Sequence, residues 1–344
     1  MPLNAASVAP APAALPRPRI AFLGLGWIGR QRMAAMLEAG DIEVAALADP
    51  DPEAVQAALD LAPDAATGRD LCALLDQRPD GIVIATPSAL HAEQSIRALD
   101  AGAAVFCQKP LGRDARETAA VLRAARQADR LLATDLSYRH AAAFIALRDL
   151  IRSGDLGHVH ALDLTFHNAY GPDKPWFRDR RLSGGGCLID LGIHLIDLAL
   201  WSLGAGDVRC LAAHIRRDGR PLSADPDAVE DFALATLETD QGTVIRLACS
   251  WNLPAGQDAV IGMEAFGTAG GGAVRNIGGS FLDFGAWRHH GTASQALVTP
   301  PDAWGGRAGA AWATQLRRGG GFDPQAEALV TLARTLDAIY ARAA

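Results

Sequence analysis

Asp190 and His194 stand four residues apart in Asp190-Leu191-Gly192-Ile193-His194, a helical spacing that turns a carboxylate and an imidazole to one side. An imidazole titrates near neutral pH, so it can take the proton of a hydroxyl as hydride leaves carbon. Lys109, in Gln108-Lys109-Pro110, is a cation able to stabilise the oxygen as its charge develops. Far upstream, Gly24-Leu25-Gly26-Trp27-Ile28-Gly29 follows the apolar run Ile20-Ala21-Phe22-Leu23 and opens a helical segment, the context of a dinucleotide fingerprint. A pyrophosphate cradle and a proton-handling pair in one chain point to redox chemistry on a bound small molecule. Alone, His194 would read as a hydrogen-bonded core histidine and Asp190 as a cap or salt-bridge residue. The triple glycine Gly184-Gly185-Gly186 and the upstream fingerprint reverse that preference.

These groups need a scaffold that brings distant positions together, and the hydrophobic pattern supplies one. Apolar runs at 20–23, 44–48, 82–85, 103–107 and 131–136 alternate with Ala-rich segments at 30–39, 52–61, 89–101 and 115–128. Continuous apolar strands alternating with helices predict a parallel sheet covered on both faces. In the fingerprint Gly24 permits the tight turn, Gly26 admits the pyrophosphate, and Gly29 lets the helix pack on the strand. Asp49 ends the second strand, at about the 20-residue distance where an acid grips the adenosine ribose. An acid there favours NAD over NADP, whose 2′-phosphate would meet a like charge, and Pro50-Asp51-Pro52 offers no arginine to receive it. Lys109 follows the fifth strand at its C-terminal end, the edge where open α/β sheets bind ligands.

After about residue 135 the grammar changes. A helix at 141–151 and a strand at 159–166 lead through an irregular loop to an apolar helix at 187–202. Candidate strands at 208–216, 231–238, 243–250 and 258–266 are joined by turns such as Asp240-Gln241-Gly242, which predicts a mostly antiparallel sheet. A helix at 324–341 closes the chain, and the glycine-rich run at 267–279 opens no helix and reads as loop or hairpin. At 344 residues the chain divides into a disordered tail at 1–18, a first domain at 19–137 and a second at 138–344.

A net charge of −7 leaves no basic surplus to displace counterions from phosphates, so no nucleic-acid partner is expected. Five scattered cysteines without a C-x-x-C form neither a disulfide framework nor a zinc ribbon and fit a reducing compartment. The Ala- and Pro-rich start lacks the features of a signal peptide, and the apolar stretch 188–203 is broken by Asp190, His194 and Asp197. A cytoplasmic protein with no membrane partner is expected. Those three residues share one helical stripe, yet one helix rarely completes a coordination shell, so no metal is expected.

Gly24-Leu25-Gly26-Trp27-Ile28-Gly29, Thr86-Pro87-Ser88-Ala89-Leu90-His91, Gln108-Lys109-Pro110 and Ser183-Gly184-Gly185-Gly186 leading into Asp190–His194 together resemble the Gfo/Idh/MocA family. This is the family of glucose–fructose oxidoreductase and inositol dehydrogenase, and the resemblance runs from residue 19 onward. It implies an α/β fold: an N-terminal Rossmann domain with a doubly wound parallel sheet, then a C-terminal α/β domain with a large open, mostly antiparallel sheet. That second sheet would also join copies into a homodimer or homotetramer. Lys109 would lie beside the nicotinamide and polarise the substrate oxygen, His194 would be the acid/base, and Asp190 would help hold substrate. Gly24, Gly26, Trp27, Ile28, Gly29, Asp49, Thr86, Pro87, His91, Gln108 and Lys109 are the expected NAD contacts, although His91 reads equally as a structural helix residue.

Tyr138 and Arg139 at the domain junction, with Trp176 and Arg178 in a loop that also carries Asn168, Tyr170 and Phe177, are expected at the substrate cleft. Such aromatic and arginine side chains serve equally in packing between subunits. The family's usual glutamate before the lysine is Gln108 here, which keeps hydrogen bonding and removes a negative charge. The residues point to an NAD-dependent oxidoreductase acting on a secondary alcohol of a sugar, cyclitol or related polyol. Two alternatives share the motifs: a relative that cleaves glycosides through transient oxidation, and a non-catalytic NAD-sensing regulator. Lys109, Asp190 and His194 together speak against the regulator, because a sensor needs no proton transfer.

Overall fold

Six short apolar strands, β1 (Arg19–Leu23), β2 (Glu43–Ala48), β3 (Ala66–Gly68), β4 (Gly81–Ile84), β5 (Ala104–Cys107) and β6 (Leu132–Thr134), form the first sheet of the computed structural model. The structure describes residues 15–222 and 227–343. Residues 1–14 of the expected tail lie outside that range; residues 15–18 carry no regular structure, and Arg317 donates to the Leu15 carbonyl. The strands are all parallel, in the order β3-β2-β1-β4-β5-β6. Helices α1 (Trp27–Glu38), α2 (Pro52–Leu59), α3 (Leu71–Leu75), α4 (Ser88–Asp100) and α5 (Ala115–Ala128) connect them. Strand order reverses beside β1, and the crevice between β1 and β4 is therefore the place where such sheets bind ligands. Burial on both faces explains the unbroken apolar strands: Ile20 and Phe22 pack on the side of Met33 and Met36, Ala21 and Leu23 on the side of Leu71 and Leu99.

A 3₁₀ turn at Ser137–His140 and α6 (Ala142–Arg152) lead into the second sheet. It contains β7 (Val159–Asn168), β8 (Val208–Arg217), β9 (Arg220–Pro221), β10 (Phe232–Thr239), β11 (Val244–Ser250), β12 (Ala259–Gly267), β13 (Gly271–Asn276), β14 (Phe284–His290) and β15 (Ala293–Val298). Its order is β15-β14-β13-β12-β7-β11-β10-β8-β9, antiparallel except where β7 meets β11. Burial alternates along β10 and β12, as expected of a sheet with one covered face. That face is covered by α6 and by α8 (Ile193–Leu203), which follows the short α7 (Arg180–Ser183). The segment Arg180–Leu203 is long and apolar enough to cross a membrane by length and composition, yet 83% of its most apolar window is buried inside this fold.

The glycine run at 267–279 folds into the β12–β13 hairpin. Gly272 lets α6 settle on the sheet, since a Cβ there would stand 2.5 Å from Leu147 Cδ1. Helix α9 (Arg307–Arg317) departs from the expected division at 137/138. Its Trp312 packs against Phe106 of the first sheet, with ring centroids 5.7 Å apart, so α9 completes the first core although it follows the second sheet in sequence. The expected closing helix is a 3₁₀ turn at Pro324–Glu327 followed by α10 (Ala328–Ala343).

Candidate active site

The turn Gly24-Leu25-Gly26 joins β1 to α1. Gly24 has φ +89°, and a Cβ there would lie 2.5 Å from the Ala85 carbonyl oxygen. At Gly29 a Cβ would lie 2.1 Å from the Gly24 carbonyl oxygen, so helix and turn are in close contact. Gly26 differs: a Cβ there meets nothing within 4 Å, and no side chain caps α1. Free first-turn amides facing open space are what a pyrophosphate requires, and the residues fit a dinucleotide. Asp49 braces this loop, accepting from the Leu25 amide at 2.6 Å and the Asp51 amide at 2.9 Å. It stands outside the cavity lining, as do Gly24 and Gly29. Gly26→Ala should keep its melting temperature and lose about tenfold or more in NADH affinity, about 1.4 kcal/mol, read by fluorescence titration. Gly24→Ala should instead lower the melting temperature, because left-handed φ and backbone contact both oppose a side chain.

A cavity of about 860 Å³ extends from Gly26, Trp27 and Ile28 past Thr86 and Pro87 to Lys109, Asp190 and His194. Lys109 Nζ donates to Asp190 Oδ1 at 2.5 Å and to the Asp190 carbonyl at 2.7 Å. Trp251 Nε1 donates to the other carboxylate oxygen at 3.0 Å, so Asp190 is clamped between strand β11's end and the turn after β5. The helix carrying Asp190 departs from the regular one its spacing predicts: Leu188–Gly192 is a π turn, a wider coil frequent at functional sites. Buried Glu230 holds the start of that turn, accepting from the Gly186 amide at 3.0 Å, the Leu188 amide at 2.9 Å and the Tyr340 hydroxyl at 2.8 Å. Gly186 must be glycine, since its Cβ would stand 1.9 Å from the Glu230 carbonyl oxygen.

His194 is buried, with only 8% of its surface exposed, and lines the cavity. Its ring packs edge-on to Tyr138, centroids 4.9 Å apart, and its Nδ1 has no hydrogen-bond partner. Burial, reinforced by the charges of Lys109 and Arg32, holds its pKa well below the usual 6.5. Tyr138 also lines the cavity, and burial with the nearby Asp190 charge pushes its hydroxyl above the ordinary tyrosine range.

Residues 18–136 match the oxidoreductase family with an NAD-binding Rossmann fold, and residues 144–272 match the GFO/IDH/MocA C-terminal domain. The dTDP-3,4-didehydro-2,6-dideoxy-alpha-D-glucose 3-reductase of Streptomyces violaceoruber is 32% identical over 268 residues, 77% of this chain and 72% of that protein. The chain belongs to the Gfo/Idh/MocA family. D-glucoside 3-dehydrogenase of Escherichia coli K12, 28% identical, matches over 74% of this chain and 76% of its own. GenD2 of gentamicin A biosynthesis, solved in complex with NAD, superposes with a TM-score of 0.81 at 25% identity, covering 98% of this chain and 97% of that one. Like its Gfo/Idh/MocA relatives, the protein is an oxidoreductase with a nicotinamide-dinucleotide fold.

Within this family the Gln108 substitution has a local explanation. Gln108 Nε2 donates to Asp135 Oδ2 at 2.5 Å, and the same carboxylate accepts from Arg32 Nε at 2.6 Å and from the Ser137 hydroxyl. The carboxylate in contact with residue 108 is thus Asp135, paired with Arg32, and the amide at 108 satisfies it as a donor. Gln108→Glu sets two buried carboxylates against each other and is expected to destabilise the fold by about 1–3 kcal/mol. The double variant Gln108→Glu with Asp135→Asn restores the charge count, and should be more stable in denaturant titrations than either single variant.

The remaining expected residues separate. His91 spans two carbonyl oxygens, Pro110 at 2.6 Å from Nδ1 and Thr86 at 2.7 Å from Nε2, so it ties the turn after β4 to the Lys109 turn. Thr86 Oγ1 donates to Gln94 at 2.6 Å. Trp176 lines the cavity, stacked on Phe177 at 3.8 Å. Arg139 and Arg178, expected at the substrate cleft, are outside the lining. Arg139 makes a bidentate pair with Asp197 at 2.8 and 2.5 Å, and Arg178 folds back on the Pro172 carbonyl at 2.9 Å. Asn168 and Tyr170 are also outside the lining. Arg32, Asp135, Trp251, Phe281 and Trp304 belong to the site or its frame and carry no local sequence signal of it.

Proposed function

We propose that the protein moves hydride between NAD and a secondary alcohol or ketone of a sugar, cyclitol or related polyol. The supporting observation is that Lys109, 81 positions before Asp190, lines with Asp190 and His194 one cavity that begins at the dinucleotide turn. Bound nicotinamide supplies the hydride acceptor or donor. An ammonium has three donor hydrogens, and Lys109 directs two at Asp190, which leaves the third for a substrate oxygen. Asp190 fixes that ammonium and is itself fixed by Trp251, so the donor is aimed before substrate arrives. His194 stays neutral at physiological pH because burial disfavours its charged form, and it takes the hydroxyl proton during oxidation. Asp49 places a negative charge beside the loop that receives the nucleotide, which favours NAD over NADP.

A glucoside 3-dehydrogenase and a dTDP-sugar 3-reductase stand among the relatives, so a hexose derivative oxidised at its 3-position is the first substrate to test. The face of the nine-stranded sheet left open by α6 and α8 is the surface through which copies would pair, and light scattering reads the resulting dimer or tetramer. The deciding experiment follows absorbance of reduced nicotinamide with NAD or NADP against a panel of glycosides and cyclitols. Turnover with a higher kcat/KM for NAD is expected. Tight NAD binding with no turnover across the panel would overturn this function in favour of a sensor, and sugar release without net NADH would favour glycoside cleavage.

A further inference from the structure

The outer part of the cavity has a chemistry unlike its centre. Trp176 and Phe177 line it from the loop after β7, and Phe281 and Leu282 line it from the loop before β14. Tyr138 and Trp304, with centroids 4.9 Å apart, continue that apolar wall inward to His194. Leu282 is 54% exposed, and its carbonyl accepts from Trp304 Nε1 at 2.8 Å. An aromatic and aliphatic wall of this kind binds the C–H faces of sugars and flat apolar groups beside them.

Charge gives the second, independent half of the argument. Among the described residues three cations line the cavity, Arg32, Lys109 and Lys174, against three carboxylates, Asp135, Asp190 and Asp173. Arg32 is bonded to Asp135 and Lys109 to Asp190. Lys174, the cation of the outer loop, stands 3.7 Å from Asp173. A sugar carried on a nucleoside diphosphate brings two phosphate charges that need several convergent donors. Among the described lining residues the apolar mouth offers them one exposed ammonium, with a carboxylate beside it.

We propose that the substrate is a neutral glycoside with an apolar aglycone, the aglycone lying between Trp176–Phe177 and Phe281–Leu282, and is not a nucleotide-activated sugar. This rests on the oxidoreductase function proposed above and narrows its substrate class. The test compares kcat/KM with NAD for phenyl and methyl glycosides of several hexoses and for UDP-glucose and dTDP-glucose. Phenyl glycosides should exceed their methyl counterparts by roughly tenfold or more, and nucleotide sugars should fall about 100-fold or more below the phenyl glycosides. Phe281→Ala should bring the phenyl-to-methyl ratio towards one. Nucleotide sugars matching or exceeding phenyl glycosides would overturn this substrate class and leave the oxidoreductase function standing. No advantage of phenyl over methyl would overturn it equally, whereas failure of every sugar to react would remove the function on which it rests.

Discussion

Lys109→Ala is expected to lower kcat by about 10²–10³-fold, the usual cost of losing a donor aimed at developing negative charge. The loss should fall on kcat and kcat/KM together, because the ammonium matters most when the substrate oxygen carries charge. Dinucleotide affinity should change little, since the pyrophosphate cradle lies at the Gly26 turn and the first-turn amides of α1. The variant also frees one Asp190 oxygen and leaves the Trp251 bond in place, so the fold is expected to survive. NADH titration and steady-state kinetics on the same preparation separate these effects. An alanine variant that keeps the wild-type rate would remove Lys109 from the chemistry, and one that loses NADH affinity in proportion to rate would make it a cofactor ligand only.

The parts of the site that were legible in sequence are those set by neighbours along the chain. The β1 run and the three glycines encode a strand and a tight turn into α1 within one βαβ unit, and both are present, whereas Asp49, expected at the ribose, braces the turn through the Leu25 and Asp51 amides. Lys109 could be placed at a strand end because β5 is four fully buried residues that end at Cys107. Asp190 and His194 share the cavity, but their spacing alone does not distinguish an α turn from the π turn that is present. What escaped is held by long-range contacts. Arg32 and Asp135 are 103 residues apart, and nothing near either one announces a buried ion pair. Helix α9 carries only a weak periodic signal, because its apolar residues are mostly small alanines with one tryptophan, and its place is fixed only when Trp312 meets Phe106. Arg139 stands next to cavity-lining Tyr138 in sequence, yet the 3₁₀ turn aims its guanidinium at Asp197 and away from the cavity lining.

The acid/base assignment makes a separate demand on His194. His194→Gln keeps a polar side chain in the buried site and removes the titrating group, with an expected fall in kcat of about 10²–10⁴-fold. Wild-type oxidation needs the neutral ring, and burial with the Lys109 and Arg32 charges keeps it neutral below its usual 6.5. The oxidation plateau should therefore extend below pH 6.5 and fall only at lower pH, while the variant loses that limb. Stability carries the same signature. Between 6.5 and the depressed folded value the unfolded chain binds a proton at this ring that the folded chain refuses, so stability rises with pH in that window and is lost on acidification through it. One such proton is worth about 1.4 kcal/mol per pH unit, and the variant should show an acid slope shallower by up to that amount. His91, lowered by burial as well, keeps its own contribution and preserves part of the slope in both proteins. A variant that retains the wild-type rate and acid limb would take His194 out of the proton path.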